Sequence, residues 1–193
     1  MIYILVAILI ILVFWIISVY NFFVSTKTRV GAAIQEIGNQ LKRQFELIPN
    51  LESSAKGYLI HEKGIFDELT NARKAISSAM NSGDLKKMTD AGKMLSDLLP
   101  KIQVVVEDNP EIKASEVVKN LMDELRDTSD KVMYARRLLI DLTADYNVKM
   151  VSFPSNVIAG IFRFEKLKGL ETPVDGDELK VGKEEMETPK INL

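Results

Sequence analysis

From Met1 to Ile17 every side chain is apolar or aromatic, and from Ser18 to Val24 only Ser18, Tyr20 and Asn21 interrupt the run. No Asp, Glu, Lys or Arg falls within it. A stretch of about 20–24 such residues is what a helix needs to cross ~30 Å of hydrocarbon. It opens at Ile2. Trp15, Tyr20, Phe22 and Phe23 gather toward its C-terminal end, where aromatic rings suit the headgroup region. A cleaved signal peptide would carry a basic leader, a shorter apolar core and a small-residue cleavage pattern, none of which is present. The pattern therefore predicts an uncleaved transmembrane anchor over residues 1–24. Lys27 and Arg29 are the first charges after it, and the positive-inside rule then places the N-terminus outside and the following domain in the cytoplasm.

Beyond Ser25 apolar positions recur at alternating three- and four-residue steps. The clearest series is Val118, Leu121, Leu125, Thr128, Val132, Ala135, Leu139, Leu142 and Tyr146, a seam of about four heptads on one long helix. Lys119, Asp123, Arg126, Asp127, Asp130, Arg137 and Asp141 occupy its solvated face. Ser115 and Glu116 mark its start after the Asn109-Pro110 break. A second seam runs Leu51, Ala55, Tyr58, Glu62, Ile65, Leu69, Ala72, Ile76 and Ala79, ended by Asn81-Ser82-Gly83-Asp84, where Gly and Asn tolerate the left-handed conformation of a helix C-cap. Asp84 caps a third helix with Leu85, Met88, Leu95, Leu98, Leu99, Ile102 and Val106 on one face. Pro100 should kink this third helix, because it removes a backbone donor and clashes with the preceding turn.

Val30, Ile34, Ile37, Leu41 and Ile48 hold the phase of the second seam, with Pro49 between the two series. Proline either opens a new helix or bends a continuing one. If Pro49 turns the chain there are four helices; if it only bends it there are three, the first very long. The expected fold class is all-α, an N-terminal transmembrane helix followed by an antiparallel bundle of long helices over residues 25–165, with four helices favoured. From about Lys168 the periodicity fails, and Pro173, Asp175-Gly176-Asp177, Gly182 and Pro189 predict a disordered tail, with its bounds set at 166–193.

Composition narrows the function. A chain of 193 residues with a net charge of -2 leaves room for one domain beyond the anchor and carries no basic excess of the kind nucleic-acid binders use. With no cysteine, disulfides, thiol catalysis and thiolate metal sites are excluded. His61 is the only histidine. His61-Glu62 is not part of an H-E-x-x-H motif, because Ile65 stands where the second histidine would be. Adjacent helical residues also diverge by about 100°, so the two are poorly placed as an acid–base pair. No phosphate-binding glycine loop or nucleophile elbow occurs. The expectation is therefore no catalytic residue, no cofactor and no metal.

Glu62 falls on an apolar seam. Either it pairs with a cation, for which Arg43, Lys56, Arg136 and Arg137 are candidates, or the seam is wide there and it reaches water. Lys42 and Arg43 lie ~25–30 Å along the first helix from the membrane, beyond the ~8 Å screening length. For Arg43 a structural ion pair is the better expectation, a partner contact the other. Phe153-Pro154-Ser155-Asn156-Val157-Ile158-Ala159-Gly160-Ile161-Phe162-Arg163-Phe164 reads as a short apolar helix capped by Ser155 or Asn156 and followed by Lys166 and Lys168. It either folds back on the bundle or, in an up-down bundle of four helices, returns to the bilayer as a second contact through Phe153, Val157, Ile158, Ile161, Phe162 and Lys166.

Several strings, in order, resemble one family. They are Tyr20-Asn21, Leu41-Lys42-Arg43, Glu46-Leu47-Ile48-Pro49-Asn50-Leu51, Lys56-Gly57-Tyr58, His61-Glu62, Asn109-Pro110-Glu111-Ile112-Lys113-Ala114, Asp123-Glu124-Leu125, Ala135-Arg136-Arg137, Asp145-Tyr146-Asn147 and Phe153-Pro154-Ser155-Asn156. The chain resembles the LemA family over all but its tail. Departures are Lys42, where many members carry Arg, and Pro100, in a helix usually free of proline. The resemblance implies a short outside N-terminus, one span and a cytoplasmic bundle of four helices, and no established chemistry. It marks Arg43, Glu46, Pro49, Asn50, Lys56, Tyr58, His61 and Glu62 as candidate structural or partner residues. It also implies a role in membrane-protein quality control or assembly, with a membrane protease or an assembly complex as partner. Long heptad faces add self-association. The reading is a non-enzymatic, single-pass interaction or scaffold protein at the cell membrane. The alternative is a lipid-surface or membrane-remodelling factor using residues 153–164.

Overall fold

The computed structural model describes residues 1–55 and 63–170. The helices are α1 (Ile2–Ser54), α2 (Lys63–Ser82), α3 (Leu85–Asp108), the single turn α4 (Pro110–Lys113), α5 (Glu116–Val151) and the short α6 (Ser155–Ile161), and no strand occurs among the described residues. The all-α expectation holds, with four long helices carrying the architecture.

The chain does not turn at Pro49. That residue lies inside α1, which continues to Ser54 and ends with the Ala55 N–H bonded to the Leu51 carbonyl at 3.0 Å. An interior proline costs about 3 kcal/mol. Here Ile48 and Leu51, both fully buried on either side of it, hold the helix together across the missing bond. Each fully buried side chain of this kind contributes roughly 1.5–3 kcal/mol, enough together to outweigh the proline. The second seam is consequently shared: Leu51 belongs to α1 and Ala55 caps it, while Ile65 to Ala79 belong to α2. Neither alternative at Pro49 was right as stated, since the proline does not turn the chain and four long helices still form.

The other boundaries follow the local chemistry. Gly83 adopts φ +62° after α2, and the Asp84 carboxylate accepts the Lys87 N–H at 3.1 Å to cap α3. Ser115 accepts from the Val118 N–H at 3.4 Å to open α5. α3 runs unbroken through the exposed Pro100. At α6 the expected caps are absent: Pro154 occupies the cap position without a side-chain hydrogen bond, and Ser155 is buried in the first turn. The end of α6 is a Schellman motif, with Phe164 N–H donating to the Ala159 carbonyl (2.9 Å) and Arg163 N–H to the Gly160 carbonyl (3.2 Å). Arg163, at φ 53°, holds the left-handed position that glycine usually fills.

α1 and α5 form the antiparallel backbone of the molecule. Phe23 meets Tyr146 and Arg43 meets Glu124, so an advance along one helix is a retreat along the other. α2 and α3 make a hairpin on the outer half of this pair. The hairpin's first α3 turn is level with mid-α1, where Met88 lies beside Gly38. The main core joins Ile37, Leu41, Ile48, Leu69, Ile76, Leu95, Ile102, Leu125, Val132 and Leu139, all fully buried. At the other end a second cluster of Val19, Phe23, Tyr146, Ile158 and Ala159 ties α1, α5 and α6 together.

The segment after α6 stays on the bundle through Leu170, although the sequence suggested departure at 166. Leu167 and Leu170 pack against the main core. The Asn147 side chain donates to the Leu167 carbonyl (2.9 Å) and accepts from the Leu167 N–H (3.0 Å). Both backbone groups of one residue are thus satisfied by one amide, which also fixes the amide's orientation. Gly169 and Leu170 reach the start of α3 at Asp84–Lys86.

Candidate membrane-proximal site

The most hydrophobic window of α1 has a mean hydropathy of 3.2 and is almost entirely exposed. Ile2, Leu5, Ile8, Ile11 and Phe14 present apolar surface on all sides, whereas a helix of a water-soluble bundle keeps a polar face. Burial begins at Trp15 and Ile16, which are half-buried, and is complete at Val19 and Phe23. The last turns of the apolar stretch are therefore already part of the folded domain, and no break falls between residues 24 and 25.

What buries them is a cluster of rings. Phe23 is edge-on to Tyr146 (centroids 5.2 Å, 77°) and tilted over Phe164 (4.8 Å), while Tyr20 touches Phe162 (4.8 Å) and Phe164 (5.7 Å). Each such pair adds about 0.5–1.5 kcal/mol beyond simple burial. The Lys149 ammonium lies 4.6 Å from the Phe22 ring centre. Burial first, and the charge of Glu165 second, raise the Tyr146 hydroxyl above its ordinary pKa of 10.0.

α6 is two-faced. Ile158 and Ala159 point into the cluster, so Ile158 is withdrawn from the surface set named from sequence; residues one position apart on a helix differ by about 100° in direction. Phe153 (83% exposed), Val157 (51%), Ile161 (66%) and Phe162 (47%) face outward. Lys27, Arg29, Arg163 and Lys166 are exposed at the same end of the molecule.

The remaining candidates are dispersed. Arg43 is paired with Glu124, its Nε donating at 2.7 Å. Both side chains are substantially exposed, so the pair contributes at most about 1 kcal/mol. Glu46 is exposed, as is Asn50, whose amide approaches the Glu46 carbonyl at 3.5 Å. Lys56, Tyr58, His61 and Glu62 lie outside the described residues, so the question of a partner for Glu62 stays with the sequence. Sequence reasoning named Asn147 in a family string and Arg163 and Phe164 in the apolar segment without the roles they take here, and it did not mark the close contact at Gly92.

The sequence pattern that defines the LemA family matches residues 33–182. The chain belongs to the LemA family. The match begins after the apolar stretch and runs past α6, so the family unit includes the segment that Asn147 holds. Among curated proteins the chain is similar to the magnetosome protein MamQ of Magnetospirillum gryphiswaldense, 24% identical over 181 residues covering 82% of this chain and 66% of the relative. Magnetosome protein MamQ 2 of Paramagnetospirillum magneticum is 23% identical with the same coverage. The match thus spans about two thirds of the length of these relatives. The apolar helix and the family together describe a membrane-associated LemA-type protein.

Proposed function

We propose that this LemA protein is a non-enzymatic scaffold that stays anchored through residues 1–24 and presents its helical bundle at a fixed height above the cytoplasmic face of the cell membrane. The observation that carries this reading is the continuity of α1, one helix of 53 residues and so about 80 Å long, from lipid-suited surface to bundle core. A flexible linker would let the domain sample many orientations; an unbroken helix packed at both levels does not. Tethering to a surface raises the effective concentration for other membrane-bound proteins without any new contact. The cytoplasmic orientation is supported by Lys27 and Arg29 together with Lys149, Arg163 and Lys166, which the fold returns to the exit side of the span.

The partners of this reading are membrane proteins such as a protease or an assembly complex. The outer end offers them a groove of about 310 Å³ between α3, α4 and α5, with Val106, Ile112 and Met122 at its base and charges of both signs on its rim. Photo-crosslinking in native membranes from residues beside the groove, such as Lys119, tests the proposal. A discrete adduct with one membrane protein is expected, lost when the fully exposed part of the anchor, residues 2–14, is deleted. No adduct from any rim position, with tubulation of vesicles by the pure protein instead, would replace the scaffold by a membrane-remodelling role.

A further inference from the structure

We infer that α6 and the turn before it form a second bilayer contact, an apolar foot that rests in the same leaflet that α1 leaves. This inference rests on the anchor proposed above. Crossing ~30 Å of hydrocarbon takes about 20 residues of helix. The uncharged run continues past Ile17 to Val24, with only Ser18, Tyr20 and Asn21 as polar breaks, so the span takes in the turn that holds Tyr20. Phe162 touches Tyr20, and the cluster that seats α6 on α1 runs from Trp15 to Phe23. α6 is therefore level with the last turns of the span itself. Its inward face is used, by Ile158 and Ala159, and its outward face is apolar, through Phe153, Val157, Ile161 and Phe162. On a surface bathed in water four neighbouring apolar side chains with this exposure would be unusual. At the level of Tyr20 the surrounding medium is the lipid interface.

The charges agree with that placement. The cations on the flanks of the foot are Lys149, whose ammonium lies over the Phe22 ring, and Arg163 and Lys166 beyond the end of α6. Long basic side chains at this depth keep their stems in apolar surroundings and their heads among phosphates. The occupant is thus a lipid bilayer. The consequence is mechanical: a single helix can tilt freely, but a helix with a foot packed to its side cannot tilt away from the foot without lifting four apolar side chains out of lipid.

The chain has no cysteine, so single cysteines can be placed in the full protein and labelled with an environment-sensitive fluorophore. We would label Val157→Cys and Ile161→Cys, with Val13→Cys in the span and Val104→Cys on the outer bundle as references, in phosphatidylcholine–phosphatidylglycerol vesicles. Circular dichroism selects variants that keep the helix content. The expected result is that residues 157 and 161 are quenched severalfold more by lipid-borne nitroxide than residue 104, and are shielded from aqueous iodide. If they are quenched by iodide like residue 104 while residue 13 responds to lipid, the foot is wrong and the anchor stands. If residue 13 also responds to iodide, the anchor fails and the foot with it. Protection from both quenchers would mean that protein, such as a second copy, covers α6, and that also overturns the proposal.

Discussion

Gly92 sits where α3 comes closest to its neighbours, and adding one methyl group there tests the packing directly. A Cβ on Gly92 would lie 2.7 Å from Val132 Cγ1 and 3.5 Å from Leu41 Cδ2. Val132 is fully buried, and a β-branched side chain in a helix has one strongly preferred rotamer, so it cannot swing aside cheaply. Overpacking of this kind costs about 1–3 kcal/mol. Against it stands the gain of about 1 kcal/mol from replacing glycine by alanine inside a helix. Gly92→Ala should therefore destabilise the bundle by about 0–2 kcal/mol. Gly31, exposed on α1 with open space where its Cβ would go, is the control, and Gly31→Ala should stabilise by about 0.5–1 kcal/mol. With a urea slope of about 2 kcal/mol per molar, the two midpoints should separate by roughly 0.25–1.5 M. The assay is urea unfolding of the full chain in detergent micelles, followed by circular dichroism. Val132→Ala in the Gly92→Ala background should recover part of the loss, giving a coupling of roughly 1 kcal/mol or more. If Gly92→Ala raises the midpoint as much as Gly31→Ala does, α3 is not held against α5 as described.

The remaining expectations concern the membrane-proximal end and one core residue. Asn147→Ala removes both bonds to Leu167 and should cost about 1–3 kcal/mol; limited proteolysis should then cut near residue 165 much faster, and unchanged cleavage would refute the strap. Arg163→Gly should stabilise by about 1 kcal/mol, because a left-handed residue with a Cβ carries that penalty, and a lower melting temperature would count against the Schellman end of α6. Because the Tyr146 hydroxyl is raised above 10.0, the unfolded chain loses that proton first as pH rises. Its contribution to stability is full below pH 10 and is lost above it, so Tyr146→Phe should narrow the fall in urea midpoint between about pH 9 and about pH 11; an unchanged fall would assign it to other groups. Gln44 is fully buried on α1 with neither end of its amide hydrogen-bonded among the described residues. Gln44→Leu should raise the midpoint by the equivalent of about 1–2 kcal/mol, whereas a loss would mean that a buried water serves the amide.

How far the sequence carried the fold depends on which signal was asked. Seams at three- and four-residue steps are burial patterns, and the long one from Val118 to Tyr146 is a single helix, with all but Leu121 of its named positions buried. Gly83 and Asp84 were legible because a left-handed residue and a side-chain cap each need particular residue types. Pro49 left turn and bend open, because a local penalty of about 3 kcal/mol does not reveal the packing that opposes it. α1 instead runs past Pro49 to Ser54, with Ala55 as its cap. Phase continuity from Leu51 to Ala79 did not distinguish one helix from two, because separate helices can share a phase.

The membrane-proximal site was half legible, and the missing half explains the architecture. Periodicity suggested that residues 153–164 are apolar, and chain parity suggested that they return to the span; neither separates Ile158, which is buried, from Val157, which is not. Nor could the sequence show why the chain after α6 stays ordered, because Leu167 has no repeating neighbours and its partner is an amide twenty residues earlier. The structure closes this with one side chain: Asn147 offers a donor and an acceptor to a backbone segment that has no helix or sheet to satisfy it. Unpaired, those two backbone groups would each cost about 1–3 kcal/mol where buried, so the strap can lie along α5 only with a residue of this type beneath it. The strap in turn carries Leu167 and Leu170 to the α3 end of the main core. The end of the apolar stretch, α6 and the α2–α3 hairpin are thereby joined through continuous packing, which is the property that the proposed rigid presentation of the bundle requires.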